Sequence, residues 1–130
     1  MSTIVQGLRL LVVEDHRDTA ELLCSLLEMR GHKVTIAGTV QDALRLAGED
    51  HFDLVVSDVG LPDASGYELM RELLTRMPIR GIAMSGWGRP EDIEKSREAG
   101  FSEHLTKPVA LQKLEQAIDR VCGATESRSA

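Results

Sequence analysis

Two apolar runs in this chain end abruptly in acid. Leu10-Leu11-Val12-Val13 is followed by Glu14-Asp15, and Leu54-Val55-Val56-Ser57 is followed by Asp58. Continuous apolar runs of this length suit strands covered by helices on both faces. A carboxylate at the end of a buried strand is costly unless something there requires it. Two further strand-like runs also end in polar groups: Ile82-Ala83-Met84 reaches Ser85, and Phe101 to Thr106 reaches Lys107-Pro108.

Segments with helical periodicity separate these runs. The pattern predicts strands at Leu8–Val13, Lys33–Ala37, Asp53–Ser57, Gly81–Met84 and Ser102–Leu105. It predicts helices at Asp18–Arg30, Val40–Gly48, Tyr67–Met77, Glu91–Ala99 and Leu111–Val121. Ala20, Leu23, Leu26 and Leu27 share a face of the first helix, and Leu111, Leu114, Ala117, Ile118 and Val121 share a face of the last. Gly31 and Gly100 stand where helices stop, Thr39 where one is capped, and Pro90 in a first turn. Asp15 and Asp18 could also be read as caps of the first helix. Glu91, Asp92, Glu94, Lys95 and Arg97 are expected on an exposed face of the fourth. A helix after every strand gives a doubly wound α/β fold, a parallel five-stranded sheet with helices on both faces. The carboxyl ends of such strands lie at one edge, where ligands bind.

A chain of 130 residues has room for one core and one domain. The expected division is an N-terminal extension at 1–7, a folded domain at 8–122 and a polar tail at 123–130. With 42% hydrophobic and 28% charged residues, wholesale disorder is excluded. A net charge of −6 argues against a nucleic-acid surface, which needs a basic face. Apolar runs stop far short of a membrane span, and no basic segment precedes an apolar leader, so a cytoplasmic location is expected. Cys24 and Cys122 fall on separate helices without metal-ligand spacing and are expected to be structural thiols.

Glu14, Asp15 and Asp58 crowd three negative charges at one edge, where each raises the pKa of the others unless a cation intervenes. Oxygen-only ligands favour Mg2+, with Mn2+ as a substitute. A main-chain carbonyl after Asp58 can supply a further oxygen. An aspartate oxygen can attack phosphorus and form an acyl phosphate. The Lys107 ammonium and the Ser85 hydroxyl are suited to the charge on the phosphoryl oxygens.

Together the motifs Leu11-Val12-Val13-Glu14-Asp15, Ser57-Asp58-Val59-Gly60-Leu61-Pro62 with Gly66, Met84-Ser85-Gly86 and Thr106-Lys107-Pro108 resemble the receiver domain of two-component response regulators. The resemblance runs from Leu8 to Val121. It implies the flavodoxin-like strand order 2-1-3-4-5, which chemotaxis receivers share with flavodoxin. It implies that Asp58 accepts phosphate from a phosphohistidine on a sensor histidine kinase or histidine phosphotransfer protein. Asp15 and Asp58 would hold Mg2+ directly, Glu14 through water, with the Gly60 carbonyl completing the protein ligands. Ser85 and Lys107 would hold the phosphoryl oxygens. Output would pass by protein contacts through the surface of the fourth helix, fifth strand and fifth helix, to a downstream protein partner. The family's switch aromatic, three residues before the lysine, is replaced by His104, which is smaller and can ionise near neutrality; a weaker or pH-dependent switch is expected. Gly60 and Trp87, two residues beyond Asp58 and Ser85, occupy positions that influence phosphate lifetime in that family. Ser85-Gly86-Trp87-Gly88 and His104-Leu105-Thr106-Lys107-Pro108-Val109 are most similar to the receiver at the C-terminus of hybrid histidine kinases, and a stand-alone regulator fits as well.

Two rival functions call on the same residues. A haloacid-dehalogenase-type phosphatase needs a second aspartate two residues after the nucleophile, where this chain has Gly60. A phosphate-independent interaction module on the same fold typically lacks the aspartate, the acid pair or the lysine, and this chain keeps all of them. The expectation is therefore a non-enzyme that catalyses only its own phosphoryl transfer and dephosphorylation.

Overall fold

The computed structural model describes residues 7–123. Of the expected extension and tail, only Gly7 and Gly123 fall within them. The elements alternate throughout: β1 Arg9–Val13, α1 Arg17–Met29, β2 Lys33–Ala37, α2 Val40–Glu49, β3 Leu54–Asp58, α3 Gly66–Arg76, β4 Arg80–Ser85, α4 Pro90–Ala99, β5 Glu103–Thr106 and α5 Leu111–Ile118. All strand pairs are parallel, in the order β2-β1-β3-β4-β5. The expected α/β architecture and strand order are both present.

Alternate residues of each central strand face opposite layers. Leu11, Val13, Val55 and Ala83 pack with Val40, Ala43, Leu69, Met70, Leu73 and Ala99 from α2, α3 and α4. Leu10, Val12, Leu54, Val56, Ile82 and Met84 pack with Leu23, Leu27, Leu114, Ala117 and Ile118 from α1 and α5. Burial on both faces explains why the central strands carry unbroken apolar runs. After β2 the order reverses, so β1 and β3 become neighbours, with Val13 opposite Ser57. That adjacency brings the acids following the two strands to one crevice.

Several boundaries differ from the sequence-based expectation. β3 runs through Asp58 itself, which pairs with Met84, because the parallel ladder continues past the apolar run. Asp53 lies outside the strand, and its carboxylate accepts the Arg9 N–H at 2.8 Å. α1 begins at Arg17 after His16, so neither Asp15 nor Asp18 caps it. α5 ends at Ile118 and widens into a π turn at Asp119–Gly123, which buries Val121 and Cys122. The predicted caps hold elsewhere: Thr39 accepts from Asp42 N at 3.0 Å, Pro90 opens α4, and Gly31 and Gly100 adopt positive φ.

The turn after Asp58 is fixed by two residues. Ser65 forms a reciprocal capping box with Glu68 at the start of α3. Gly66 lies so close to β3 that a Cβ there would run into the Asp58 carbonyl oxygen. By contrast, nothing lies within 4 Å of a Cβ built on Gly60. Gly66→Ala is therefore expected to lower stability by about 1–3 kcal/mol in urea unfolding. Gly60→Ala is expected to stay within about 0.5 kcal/mol of wild type. Equal losses in the two variants would refute this account of the turn.

Candidate functional site

Three polar side chains, Asp58, Glu14 and Lys107, meet at the carboxyl edge of the sheet, with Asp15 and Ser85 at the neighbouring strand ends. Asp58, at the end of β3, is 8% exposed; its Oδ2 accepts from Lys107 Nζ at 2.8 Å and its Oδ1 from Gly60 N at 3.3 Å. Glu14, directly after β1, is 2% exposed. Its Oε1 accepts from the same Lys107 Nζ at 3.0 Å, and its Oε2 from His16 N at 3.1 Å. Asp15 faces solvent beside it. Lys107 enters from beyond the edge strand, with its N–H bonded to the Ser85 carbonyl at 2.7 Å, which extends the β4–β5 ladder by one step. Its peptide bond to Pro108 is cis.

Burial works against the Lys107 ammonium. The hydrogen bonds and charges of Asp58 and Glu14 outweigh that penalty and hold its pKa above the ordinary value. One cation thus bridges two carboxylates from adjacent strands, while a third stands beside them. The chemistry of the predicted donors suits a hard divalent cation, since Glu14, Asp15 and Asp58 offer only oxygen. Only Glu14 and Asp58 touch the Lys107 ammonium, however, and the group whose ligand atoms come together does not include Asp58. Ligand atoms of Glu14, Asp15 and His16 lie within 4.8 Å of one another. His16 was not singled out from the sequence, although it directly follows the acid pair.

Ser85, at the end of β4, is buried, and its hydroxyl points to the following loop. Oγ lies 2.7 Å from the Trp87 carbonyl, to which it donates, and accepts from Trp87 N at 3.1 Å. His104 Nε2 stands 3.0 Å from the same Oγ. Trp87 is 65% exposed, with the Arg89 guanidinium 5.3 Å from its ring centroid. Arg89 also pairs with Asp92 at 2.8 Å and holds that carboxyl below the usual carboxylate range. Asp92 is buried, which corrects its expected place on the solvated face of α4; Glu91, Glu94, Lys95 and Arg97 do lie there. An open groove of about 440 Å³ adjoins the site, between His16, Thr19 and Leu23 on one side and Lys107, Pro108 and Val109 on the other.

Known proteins share both the sequence pattern and the fold. Residues 10–119 match the response regulator receiver domain. The chain belongs to that family. As a receiver domain it is a component of two-component signal transduction. It is 37% identical over 125 residues to an uncharacterized 14.6 kDa protein of Leptolyngbya boryana, covering 94% of this chain and 95% of that one. It is 34% identical over 110 residues to the two-component response regulator ARR11 of Arabidopsis thaliana, covering 83% of this chain. The sensor histidine kinase RcsC of Escherichia coli is 32% identical over 112 residues, covering 84% of this chain. The receiver spans only 21% of ARR11 and 12% of RcsC. Among solved structures, a response regulator protein from Burkholderia pseudomallei with a phosphorylated aspartic acid, a calcium ion and citrate superposes with a TM-score of 0.81 at 26% identity, covering 95% of this chain and 72% of that one. Among the described residues of this receiver, no helix is long and apolar enough to cross a membrane.

The Lys107 bridge has a defined pH signature. Its folded pKa lies above the ordinary 10.5, so its stabilisation is complete below about pH 10.5 and is lost as pH rises through the higher folded value. In urea unfolding with EDTA present, wild-type stability is expected to fall relative to Lys107→Met only above that pH. A wild-type advantage that grows in this range would refute the assignment.

Proposed function

We propose that this receiver takes a phosphoryl group onto Asp58 and signals by protein contacts. The observation that carries the reading is the Asp58 carboxylate at the β3 edge, with Oδ2 held 2.8 Å from Lys107 Nζ and Oδ1 held only by a longer bond to Gly60 N. Oδ1 is therefore the less restrained oxygen and serves as the nucleophile. It attacks the phosphorus of a phosphohistidine on a sensor histidine kinase or phosphotransfer protein. An O–P bond forms, the N–P bond breaks, and its electron pair returns to the donor imidazole. The groove lined by Glu14, Lys107 and Pro108 is where the donor would dock, beside the two side chains that adjoin Asp58.

Lys107 is already within reach of Asp58, so its charge is in place to balance the phosphoryl oxygens without a costly reorganisation. Ser85 supplies a hydrogen bond once its hydroxyl leaves the Trp87 carbonyl. The carboxylates of Glu14, Asp15 and Asp58, with the Gly60 carbonyl, would hold Mg2+, with Mn2+ as a substitute. That ion supplies charge neutralisation for the in-line transfer when bound. The oxygen chemistry of the predicted ligands Glu14, Asp15 and Asp58 supports this choice. The phosphorylated aspartic acid named for the Burkholderia pseudomallei relative points the same way, at 26% identity. In this reading the domain catalyses its own phosphoryl transfer and dephosphorylation. Trp87, exposed beside Ser85, shields the acyl phosphate, whereas Gly60 leaves water a path to it.

The test is intact mass after incubation with acetyl phosphate. One added phosphoryl group is expected in wild type with Mg2+, and none with EDTA or in Asp58→Asn. An adduct that persists in Asp58→Asn would remove Asp58 as the acceptor. Absence of an adduct together with no Trp87 fluorescence response to beryllofluoride would leave only a phosphate-independent interaction module.

A further inference from the structure

His104 sits at the centre of a polar chain that joins the site to α4. Its Nε2 lies 2.9 Å from the Trp87 carbonyl oxygen and 3.0 Å from Ser85 Oγ. Its Nδ1 lies 2.6 Å from Ser96 Oγ. The protonation pattern follows from the partners. A carbonyl can only accept, so Nε2 carries the hydrogen and donates to Trp87 O. In the neutral ring Nδ1 is then the acceptor, and the Ser96 hydroxyl donates to it. Ser96 is 2% exposed and comes from the inward face of α4.

The Ser85 hydroxyl is fully engaged by this arrangement. It donates to Trp87 O at 2.7 Å, accepts from Trp87 N at 3.1 Å, and shares the Nε2–H of His104. The Asp58 carboxylate meanwhile takes its hydrogen bonds from Lys107 and Gly60. For Ser85 to serve a phosphoryl oxygen, its O–H must leave Trp87 O and the contact with His104 must change.

We infer that Ser96 is a positioning residue for the Ser85 hydroxyl, acting through His104. The chain Ser96–His104–Ser85 holds that hydroxyl in its resting direction, and its release on phosphorylation reaches α4 as a change in the Ser96 hydrogen bond. This inference rests on the phosphoacceptor reading of Asp58. It adds a hydrogen-bonded link, where bulk alone would give only a packing link, and it assigns a residue of α4 to the site. Whatever stabilises the resting direction must oppose binding at Asp58, and the coupling is reciprocal.

The test uses the intact 130-residue chain, beryllofluoride with Mg2+ as the probe, and Trp87 fluorescence as the titration signal. Loss of one hydrogen bond from the resting state predicts that Ser96→Ala binds beryllofluoride about fivefold more tightly than wild type. Ser96→Thr, which keeps the hydroxyl, is expected to bind like wild type. In a His104→Phe background, Ser96→Ala is expected to add nothing. An unchanged or weaker affinity in Ser96→Ala, or the same fivefold gain without His104, overturns the relay. A second measurement needs no substitution: the His104 ring nitrogens of wild type should report the Nε2–H tautomer and shift when beryllofluoride binds. A ring that stays unmoved while the probe binds overturns the relay alone. Wild type that neither binds the probe nor gains a phosphoryl group overturns the phosphoacceptor reading, and the relay with it.

Discussion

The Lys107 ammonium is the contact on which the carboxyl edge of this sheet depends. It joins Glu14 after β1 to Asp58 at the end of β3, and it arrives from beyond β5, the edge strand. Without that cation, two buried carboxylates would face each other across neighbouring strands at a cost that burial magnifies. With it, the three strand ends hold one another in place. The two carboxylates share one ammonium, while Asp15 stands beside them facing solvent.

Secondary structure alone does not make this edge. α3 can start directly beneath Asp58 because Gly66 has no side chain to meet the Asp58 carbonyl oxygen. The Ser65–Glu68 capping box then fixes where the helix begins. The N–H of Val59 bonds to the Met84 carbonyl, so the chain leaves Asp58 still registered against β4. These three local constraints direct the Asp58 carboxylate toward Lys107 rather than into solvent.

Much of this was legible in the chain itself. Leu10–Val13 and Leu54–Val56 read as buried strands because both faces are covered, and Glu14, Asp15, Asp58, Ser85 and Lys107 were visible as polar ends of apolar runs. What escaped was non-local. Asp92 and Ser96 looked like ordinary residues of a polar helix, yet with Ala99 they form its buried face, at helical spacing. Their burial is explained only by Arg89 and His104, and no periodicity in α4 reveals those partners. His104 could be placed from sequence at a switch position, but its bonds depend on the path of the Trp87 loop. The end of α5 was missed because Val121 keeps the apolar period while the backbone has widened into a π turn.

The polar inward face of α4 sets it apart from the other helices. α5 is anchored by Leu114, Ala117 and Ile118, and α3 by Leu69, Met70 and Leu73, all almost fully buried. α4 buries Asp92, Ser96 and Ala99, while its largest apolar side chain, Ile93, is 41% exposed. Burial of apolar area contributes about 25 cal/mol per Å², so moving α3 or α5 forfeits far more than moving α4. Hydrogen bonds such as Ser96–His104 and Arg89–Asp92 can be exchanged for others at small net cost. Elements held by few apolar contacts are those that shift most readily. Of these three helices α4 is therefore the one held by the least apolar burial, and His104 is the residue that touches both it and Ser85.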